Sequence, residues 1–565
     1  MKLERIDVSG FRGIKRLSIA LDDLTTLIGE NTWGKSSLLD ALNVALPADG
    51  RIYSFEMKDF HVDHAAAHPQ TRHLQIVLSF VSTERNETLS GRYRKLKPIW
   101  FQDEDGTNRF YYRISATLDG YDITQKYNFL DPEGSPLMLH HSEKIAQELM
   151  TLHPVIRLRD SRRLYQQEGL NNGNSLATGN NSGNGNGNGN GNGNGLNARS
   201  EKRINNTVRR LMAIPGHVNK GEIKSSLTSM KALVEHYFSF KSHSRKTTKG
   251  QRDGVFFSRP NNEQNLAQVI DETKNHQTRL LLLGLLNAYL QAKGPNELRR
   301  CARPILIIED PEGRLHPTHL ARAWSLLQML PMQKILTTNS SDLLGAVPLQ
   351  SIRRLVRQSD KTITKSLATN GLTKDELRRV GFHIRFHRSR ALFARCWLLV
   401  EGETEVWLFN ELANQCGYNL TAEGVQIIEF AQSGLRSLIK VAKAFGIDWH
   451  VVTDGDAAGK KYAATVLHQL DGEHPRHHLT ELPDRDIEHY LYIHGFEIFF
   501  RDLIKIPHDH PIPPKKVVAR VLKKFAKPDL ALAIVAECEE KGVDSIPVLI
   551  RWILRRVITM ANGNT

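Results

Sequence analysis

The sequence predicts an α/β chain in at least two parts, each built on short apolar strands that end in charged or glycine-rich turns. Three stretches carry this reading. A strand-like run, Thr25-Thr26-Leu27-Ile28, leads into Gly29-Glu30-Asn31-Thr32-Trp33-Gly34-Lys35-Ser36-Ser37 and then into the helical pattern Leu38 to Leu42. A second run, Trp397 to Val400, ends in Glu401-Gly402-Glu403-Thr404-Glu405. A third, Trp449 to Thr453, ends in Asp454-Gly455-Asp456-Ala457-Ala458-Gly459. Strand, tight turn and helix in alternation is the βαβ pattern, which collects functional groups at strand C-termini.

The 565 residues leave room for two to four domains with real cores. No apolar run is long enough to span a bilayer, and the charged, alternating start Met1-Lys2-Leu3-Glu4-Arg5 is unlike a signal peptide. Four cysteines without C-x-x-C spacing argue against a structural zinc site and for a reduced, cytoplasmic setting. A net charge of +15 suits a polyanionic partner, because Lys and Arg gain by releasing counterions from nucleic acid; a solvated basic surface satisfies the same number.

In chain order, Leu3 to Val8 and Leu17 to Leu21 alternate as a hairpin around Gly10-Phe11-Arg12-Gly13. The following G-x-x-x-x-G-K-S stands in the context a phosphate loop requires, after a strand and before a helix. Its glycines let N–H groups close on phosphate oxygens, Lys35 reaches the β- and γ-phosphates, and the Ser36 hydroxyl ligates Mg²⁺. Strand-like segments follow between His73 and Asn128. From Asn171 to Asn197 the chain is nearly pure Asn and Gly, a composition that buries no apolar surface and reads as a disordered loop. Helical patterns resume from Arg203 to Phe240 and from Leu280 to Leu290. Pro304 to Glu312 is an apolar strand ending in acids, and Lys334 to Thr338 is a strand ending at Asn339-Ser340.

The order hairpin, phosphate loop, long insertion, acidic strand, polar strand end resembles the ATPase heads of the ABC, RecF and SMC kind. The resemblance implies that Glu309 supports the nucleotide's Mg²⁺ and that Asp310 holds the place of the general base. Such heads usually carry Asp-Glu or two Glu there, and His where this chain has Asn339, which cannot shuttle a proton. Their Ser-x-Gly signature would fall at Asp271 to Arg279, where no glycine stands. Slow turnover, or ATP acting as a conformational ligand, is the expectation. The resemblance also implies a homodimer through the heads or the insertion, and it is not accompanied by the heptads of a coiled coil.

Ser351 to Ser389 reads as a basic linker ending in His383-Ile384-Arg385-Phe386-His387-Arg388-Ser389-Arg390, a run suited to a phosphodiester backbone or to solvent. His61, His64, His68 and His73 around Asp63, and His474, His477 and His478 near Glu473, lack ligand spacing and read as solvated loop.

Glu401 and Glu405, four residues apart across a strand end and a first helical turn, face the same space as Asp454 and Asp456. Paired carboxylates on adjacent strand ends suit hard divalent cations. The pattern resembles the Toprim domain of topoisomerases, primases and certain nucleases. Downstream Asp484-Arg485-Asp486-Ile487-Glu488 adds a further Asp-x-Glu, and here nearly the whole chain resembles the OLD (overcoming lysogenization defect) endonucleases, which join an ABC-type head to a C-terminal Toprim nuclease.

That resemblance implies the following organisation: an ATPase head over residues 1–350 with an insertion at about 80–300, a linker at 351–390, a Rossmann-like Toprim domain at 391–492 and a helical region at 493–565. It implies an ATP-regulated DNA endonuclease that uses two Mg²⁺ or Mn²⁺ ions about 4 Å apart, one on Glu401, Asp454 and Asp456, the other on Glu405, Asp486 and Glu488. A lysine would steady the charged phosphorane; Lys527 lies in the matching region, with Lys523, Lys524 and Lys541 as competitors. Two other readings fit the same domains: a non-nucleolytic, DNA-bound ATPase switch of repair or recombination, and a defence nuclease that ATP restrains.

Overall fold

The computed structural model describes residues 1–63, 71–84, 86–104, 106–159, 194–213, 220–237, 276–293, 298–299, 301–314, 316–358, 361–368 and 371–563. His64, His68, residues 171–193 of the Asn/Gly tract and residues 271–275 of the signature region lie outside them. The chain divides into two compact units, Met1–Val347 with Ser351–Thr364, and Lys365–Thr565 with Pro348–Gln350.

The first unit holds two sheets. Strands β1 (Lys2–Phe11), β2 (Ile14–Ala20), β3 (Leu24–Ile28), β4 (His73–Val81), β5 (Phe101–Gln102), β6 (Asn108–Asp119), β7 (Asp122–Leu130), β8 (Val155–Arg159), β9 (Ile305–Glu309), β10 (Lys334–Thr337), β11 (Ile352–Arg357) and β12 (Thr362–Lys365) follow in order. One sheet runs β2-β1-β4-β6-β5, with β7 on β6, and its pairings are antiparallel. Residues alternate between core and solvent along β1 and β6, as one buried face demands. The core side is aromatic: Phe80 stacks on Phe110 at 4.9 Å, and Trp100 meets Phe110 edge-on at 4.8 Å. Strands β5, β6 and β7, expected within an insertion, therefore belong to the first unit's own core; β5 and β7 pair locally with β6, and the long-range pairing of β6 with β4, which joins them to this sheet, left no local signal.

The second sheet runs β12-β11-β3-β10-β9-β8, with β11, β3, β10, β9 and β8 parallel. Its central strands are buried along almost their whole length, the mark of a sheet covered on both faces. Strands β11 and β12, in the stretch read as linker, instead continue this sheet, β11 beside β3. Helix α1 (Lys35–Ala45) follows β3 directly. Helices α2 (Ser142–Leu152), α3 (Asn194–Ala213), α4 (Lys220–Tyr237), α5 (His276–Lys293) and α6 (Pro317–Gln328) follow, with a single-turn helix at Ser341–Gly345 after β10; α3 thus begins inside the final residues of the Asn/Gly tract.

The second unit is a parallel sheet, β14 (Val425–Glu429), β13 (Cys396–Val400), β15 (Asp448–Thr453) and β16 (Leu479–Glu481) in spatial order. Helices α7 (Glu403–Gln415), α8 (Leu435–Phe445) and α9 (Ala457–Leu467) alternate with these strands. The later helices α10 (Ile487–Leu491), α11 (Pro514–Lys524), α12 (Lys527–Lys541) and α13 (Val548–Ala561) share one core with the sheet, since Val517, Ile534 and Ile553 join the cluster of Leu398, Val400 and Leu408. The C-terminal helices are structural support for the sheet.

Two expectations change here. Arg385 is buried, and Arg388 pairs with Glu429 and donates to the Ile427 carbonyl at 3.3 Å, so the run 383–390 spends cations on the fold. His61 and His478 are also buried; their Nδ1 atoms lie 2.6 Å from the Arg12 carbonyl and 2.8 Å from the Trp449 carbonyl. Both histidines are packing elements rather than solvated loop.

The Tyr112 hydroxyl is fully buried in the first unit with no hydrogen-bond partner. Such a group costs its desolvation with no return. Tyr112→Phe is expected to leave stability unchanged or to raise it by up to about 1 kcal/mol, read from chemical denaturation.

Candidate active site

In the first unit the phosphate loop has its left-handed corners at Gly29 (φ 145°) and Gly34 (φ 91°), conformations that side chains resist. Lys35 is buried; its Nζ donates to the Gly29 carbonyl at 2.5 Å and to Asn339 Oδ1 at 3.1 Å. Burial pulls its pKa down, against the carboxylates of Asp310 and Glu312. A cavity of about 150 Å³ is lined by Asn31, Lys35, Ser36, Glu309, Asp310, Thr337 and Asn339, which unites the loop with both strand ends. The residues fit a nucleotide's phosphates.

The acids of that cavity are already engaged. Arg157, on β8, grips Glu309 with two parallel bonds of 2.9 Å and also pairs with Asp40 of α1. Asp40 in turn pairs with Arg12, which bonds Asp59 at 2.9 Å. Asp310 is held by Thr337, whose hydroxyl donates to its Oδ1 at 3.0 Å, with the Asp310 backbone at φ 40°. The Asn339 N–H donates to Glu312 at 2.6 Å. Sequence reasoning missed Arg157 and gave Asp40, Glu312 and Thr337 no role. The pairing β8–β9 alone reveals Arg157, and no local motif announces it.

In the second unit the acids gather where β13 and β15 end. Glu401 follows β13, and Glu405 in the first turn of α7 accepts from the Gly402 N–H at 3.0 Å. Asp454 follows β15, while Asp456 caps α9 by accepting from the N–H groups of Ala458 (2.8 Å) and Gly459 (2.7 Å). Asp486 caps α10 through the His489 N–H at 2.9 Å, and His489 Nδ1 sits 2.6 Å from the same oxygen. Glu488 is buried, and Lys527, the first residue of α12, meets it at 2.9 Å. Lys524 turns instead to the Leu503 carbonyl and Lys541 to Glu537.

Two glycines make this convergence possible. A Cβ on Gly455 would stand 2.3 Å from the Asp484 carbonyl oxygen, and one on Gly459 would stand 1.9 Å from that of Asp454. The Gly455 N–H donates to that Asp484 carbonyl at 3.0 Å and locks the Asp-x-Glu loop to the end of β15.

The electrostatics follow from crowding. Burial and then the charges of Glu401, Glu405, Asp486 and Glu488 push the Asp454 carboxyl up to about 8. Glu401 is raised by burial, Asp456 and Glu405, and Glu488 by burial against the pull of Lys527. Asp486 moves down despite burial, because His489 donates to it. Lys527 moves up despite burial, through Glu488, Glu405 and Asp486. Glu401 Oε2 and Glu488 Oε2 are buried without a hydrogen-bond donor. Oxygen ligands left without donors and destabilised as anions fit hard divalent cations. Among the described residues, no three His, Cys, Asp or Glu side chains are already drawn around one point, so these carboxylates are not a ready-made cage for an ion.

A raised carboxylate pKa means the folded chain holds a proton that the unfolded chain has released, so Asp454 lowers stability as pH rises from about 4 to about 8. Without divalent ions, Asp454→Asn should melt above the parent at pH 8, on the order of a few °C, with the gap closing near pH 4. Thermal scans at both pH values check this. Gly459→Ala should lower the melting temperature, because the Asp454 carbonyl leaves no room for a methyl group.

A family model described as "Protein of unknown function (DUF2813)" matches residues 1–391, and one described as "Overcoming lysogenization defect protein-like, TOPRIM domain" matches residues 392–456. The chain is 42% identical over 575 residues to "Uncharacterized protein YbjD" of Escherichia coli (strain K12), with 100% of both chains covered. It is 22% identical over 484 residues to "Endonuclease GajA" of Bacillus cereus (strain VD045), covering 82% of this chain and 76% of that one. Among solved structures, the C-terminal region of the Xanthomonas campestris pv. campestris OLD protein aligns at 15% identity and a TM-score of 0.26, covering 30% of this chain and 95% of that one. The SMC head domain from Thermotoga maritima aligns at 12% identity and a TM-score of 0.30, over 65% of this chain and 100% of that one. Among the described residues no helix is long and apolar enough to cross a membrane. With one family model over the first 391 residues and the second on the strands that carry Glu401 and Asp454, the chain belongs to the DUF2813 family and carries a Toprim domain of the overcoming lysogenization defect protein-like kind.

Proposed function

We propose that the chain is a DNA endonuclease that hydrolyses phosphodiester bonds at the carboxylate cluster of its second unit, with nucleotide in the head governing the activity. The observation that carries this reading is the convergence of Glu401, Glu405, Asp454, Asp486 and Glu488 with Lys527 in one partly buried place. The relative described as an endonuclease supports the same class of reaction.

Glu401, Asp454, Asp456, Glu405, Asp486 and Glu488 supply the oxygens that would hold Mg²⁺ or Mn²⁺. Such ions, when bound, lower the pKa of a ligated water and polarise a phosphoryl oxygen. Asp456 and Asp486 are fixed by helix N-terminal N–H groups, so they present their second oxygens from defined positions. Lys527 neutralises charge that builds on the phosphorus-bound oxygens while water adds to phosphorus and the sugar oxygen leaves. In the head, Lys35 and Ser36 would take the phosphates of ATP and its Mg²⁺. Glu309, bound to Arg157, becomes available to that ion only when Arg157 lets go. Asp310, with Asn339 beside Lys35, is the candidate to orient a hydrolytic water. DNA is the substrate this reading names, and a homodimer through the heads or the insertion is part of it.

Purified protein is expected to nick or linearise plasmid DNA with Mg²⁺ or Mn²⁺. Asp454→Ala should lose at least about 100-fold in rate while still binding ATP, and Lys527→Ala should lose a comparable factor that Lys527→Arg partly restores. Plasmid cleavage with and without ATP, beside a nucleotide-binding assay, measures all of these. Absence of cleavage under every metal and nucleotide condition, with DNA binding and ATP turnover intact, would replace the nuclease with a DNA-bound ATPase switch.

A further inference from the structure

Helix α11 buries Val517, Val518 and Val521 in the second unit's core and packs against α10, the helix that carries Glu488. Its outward side shows Lys515, Lys516, Arg520, Lys523 and Lys524, all exposed. No acidic residue stands between Asp509 and Asp529 in the sequence. Lys524 is committed to the Leu503 carbonyl. Lys516, Arg520 and Lys523 follow one another at i, i+4 and i+7, which makes a single stripe about 10 Å long. Each strand of a DNA duplex sets one phosphate per ~3.4 Å of axis, so the stripe matches about three phosphates. The chain then turns at Phe525 and Ala526, both extended, and opens α12 with Lys527, the lysine that touches Glu488.

The geometry points to the stripe Lys516, Arg520 and Lys523 as a track that holds a nucleic-acid backbone beside the carboxylate cluster; it rests on the reading of that cluster as acting on DNA. The basic run 383–390 is a poorer candidate, because Arg385 is buried and Arg388 is paired. Contacts to phosphate fix position without reading bases, so the track sets where and how long the substrate is held and confers no sequence preference.

The test uses the full chain, a fluorescent duplex oligonucleotide and EDTA, which prevents metal-dependent cleavage. Anisotropy titrations across a salt series compare the parent with Lys516→Ala/Arg520→Ala/Lys523→Ala. The triple variant should bind on the order of 10- to 100-fold more weakly near physiological salt, with the slope of log affinity against log salt reduced by about 2 to 3. Lys516→Arg/Lys523→Arg, which keeps the charge, should bind as the parent does. Lys97→Ala/Lys126→Ala/Lys144→Ala, three exposed head lysines, should change affinity by less than about twofold. An unchanged slope in the stripe variant, or an equal loss in the head variant, overturns the track. Plasmid cleavage run alongside separates the two ideas. Binding through the stripe without cleavage by the parent overturns the nuclease reading and leaves the track; cleavage with unaltered salt dependence in the stripe variant does the reverse.

Discussion

Mutual repulsion among carboxylates is the constraint on which the second unit is organised. Asp454 sits in the field of four other acids, and burial denies it the water that would screen them. A fold that stored this much like charge without compensation would open. The compensation visible here is specific: backbone N–H groups on Glu405, Asp456 and Asp486, and one ammonium, Lys527, on Glu488. The C-terminal helices supply that ammonium, and they are tied to the sheet through a shared apolar core. Sheet and helices therefore stand as one cooperative body.

The first unit meets a related problem with arginine. Glu309 and Asp40 belong to the acidic strand and the phosphate-loop helix, and Arg157 spans both with its planar, five-donor head. Arg12 extends the same chain of alternating charge to Asp59. Glu309, at the wall of the cavity beside Lys35 and Ser36, is thus neutralised from within the fold. Arg157 thereby ties the loop helix α1 to the strand β9 and the edge strand β8, so any ligand that takes Glu309 from it disturbs all three.

How much of this could be read in advance follows from the range of each interaction. Residues 29–37, the acids after β13 and β15, and the strand–helix alternation around them are local, so their spacing exposed them. Lys527 emerged as one of four lysines and only packing singles it out, because its partner Glu488 belongs to another helix. Arg157 and Glu309 are 152 residues apart and meet only when β8 pairs with β9. The same blindness assigned β6, which pairs with β4, to an insertion and β11, which pairs with β3, to a linker, although both complete sheets of the first unit. Buried Arg385 and His61 were illegible for the opposite reason: composition suggests solvent, and only tertiary enclosure removes it.

Gly455 and Gly459 carry a consequence of their own. Each lies against a carbonyl oxygen with no space for a methyl group, and each fixes the direction in which an acid points. Neither has a side chain that can touch a phosphate or ligate an ion. A mutational scan scored by loss of activity would nevertheless rank them with the acids they orient, and a map of essential positions would place reactive chemistry where there is only clearance. Distinguishing the two kinds of essential residue takes a structural readout beside the functional one.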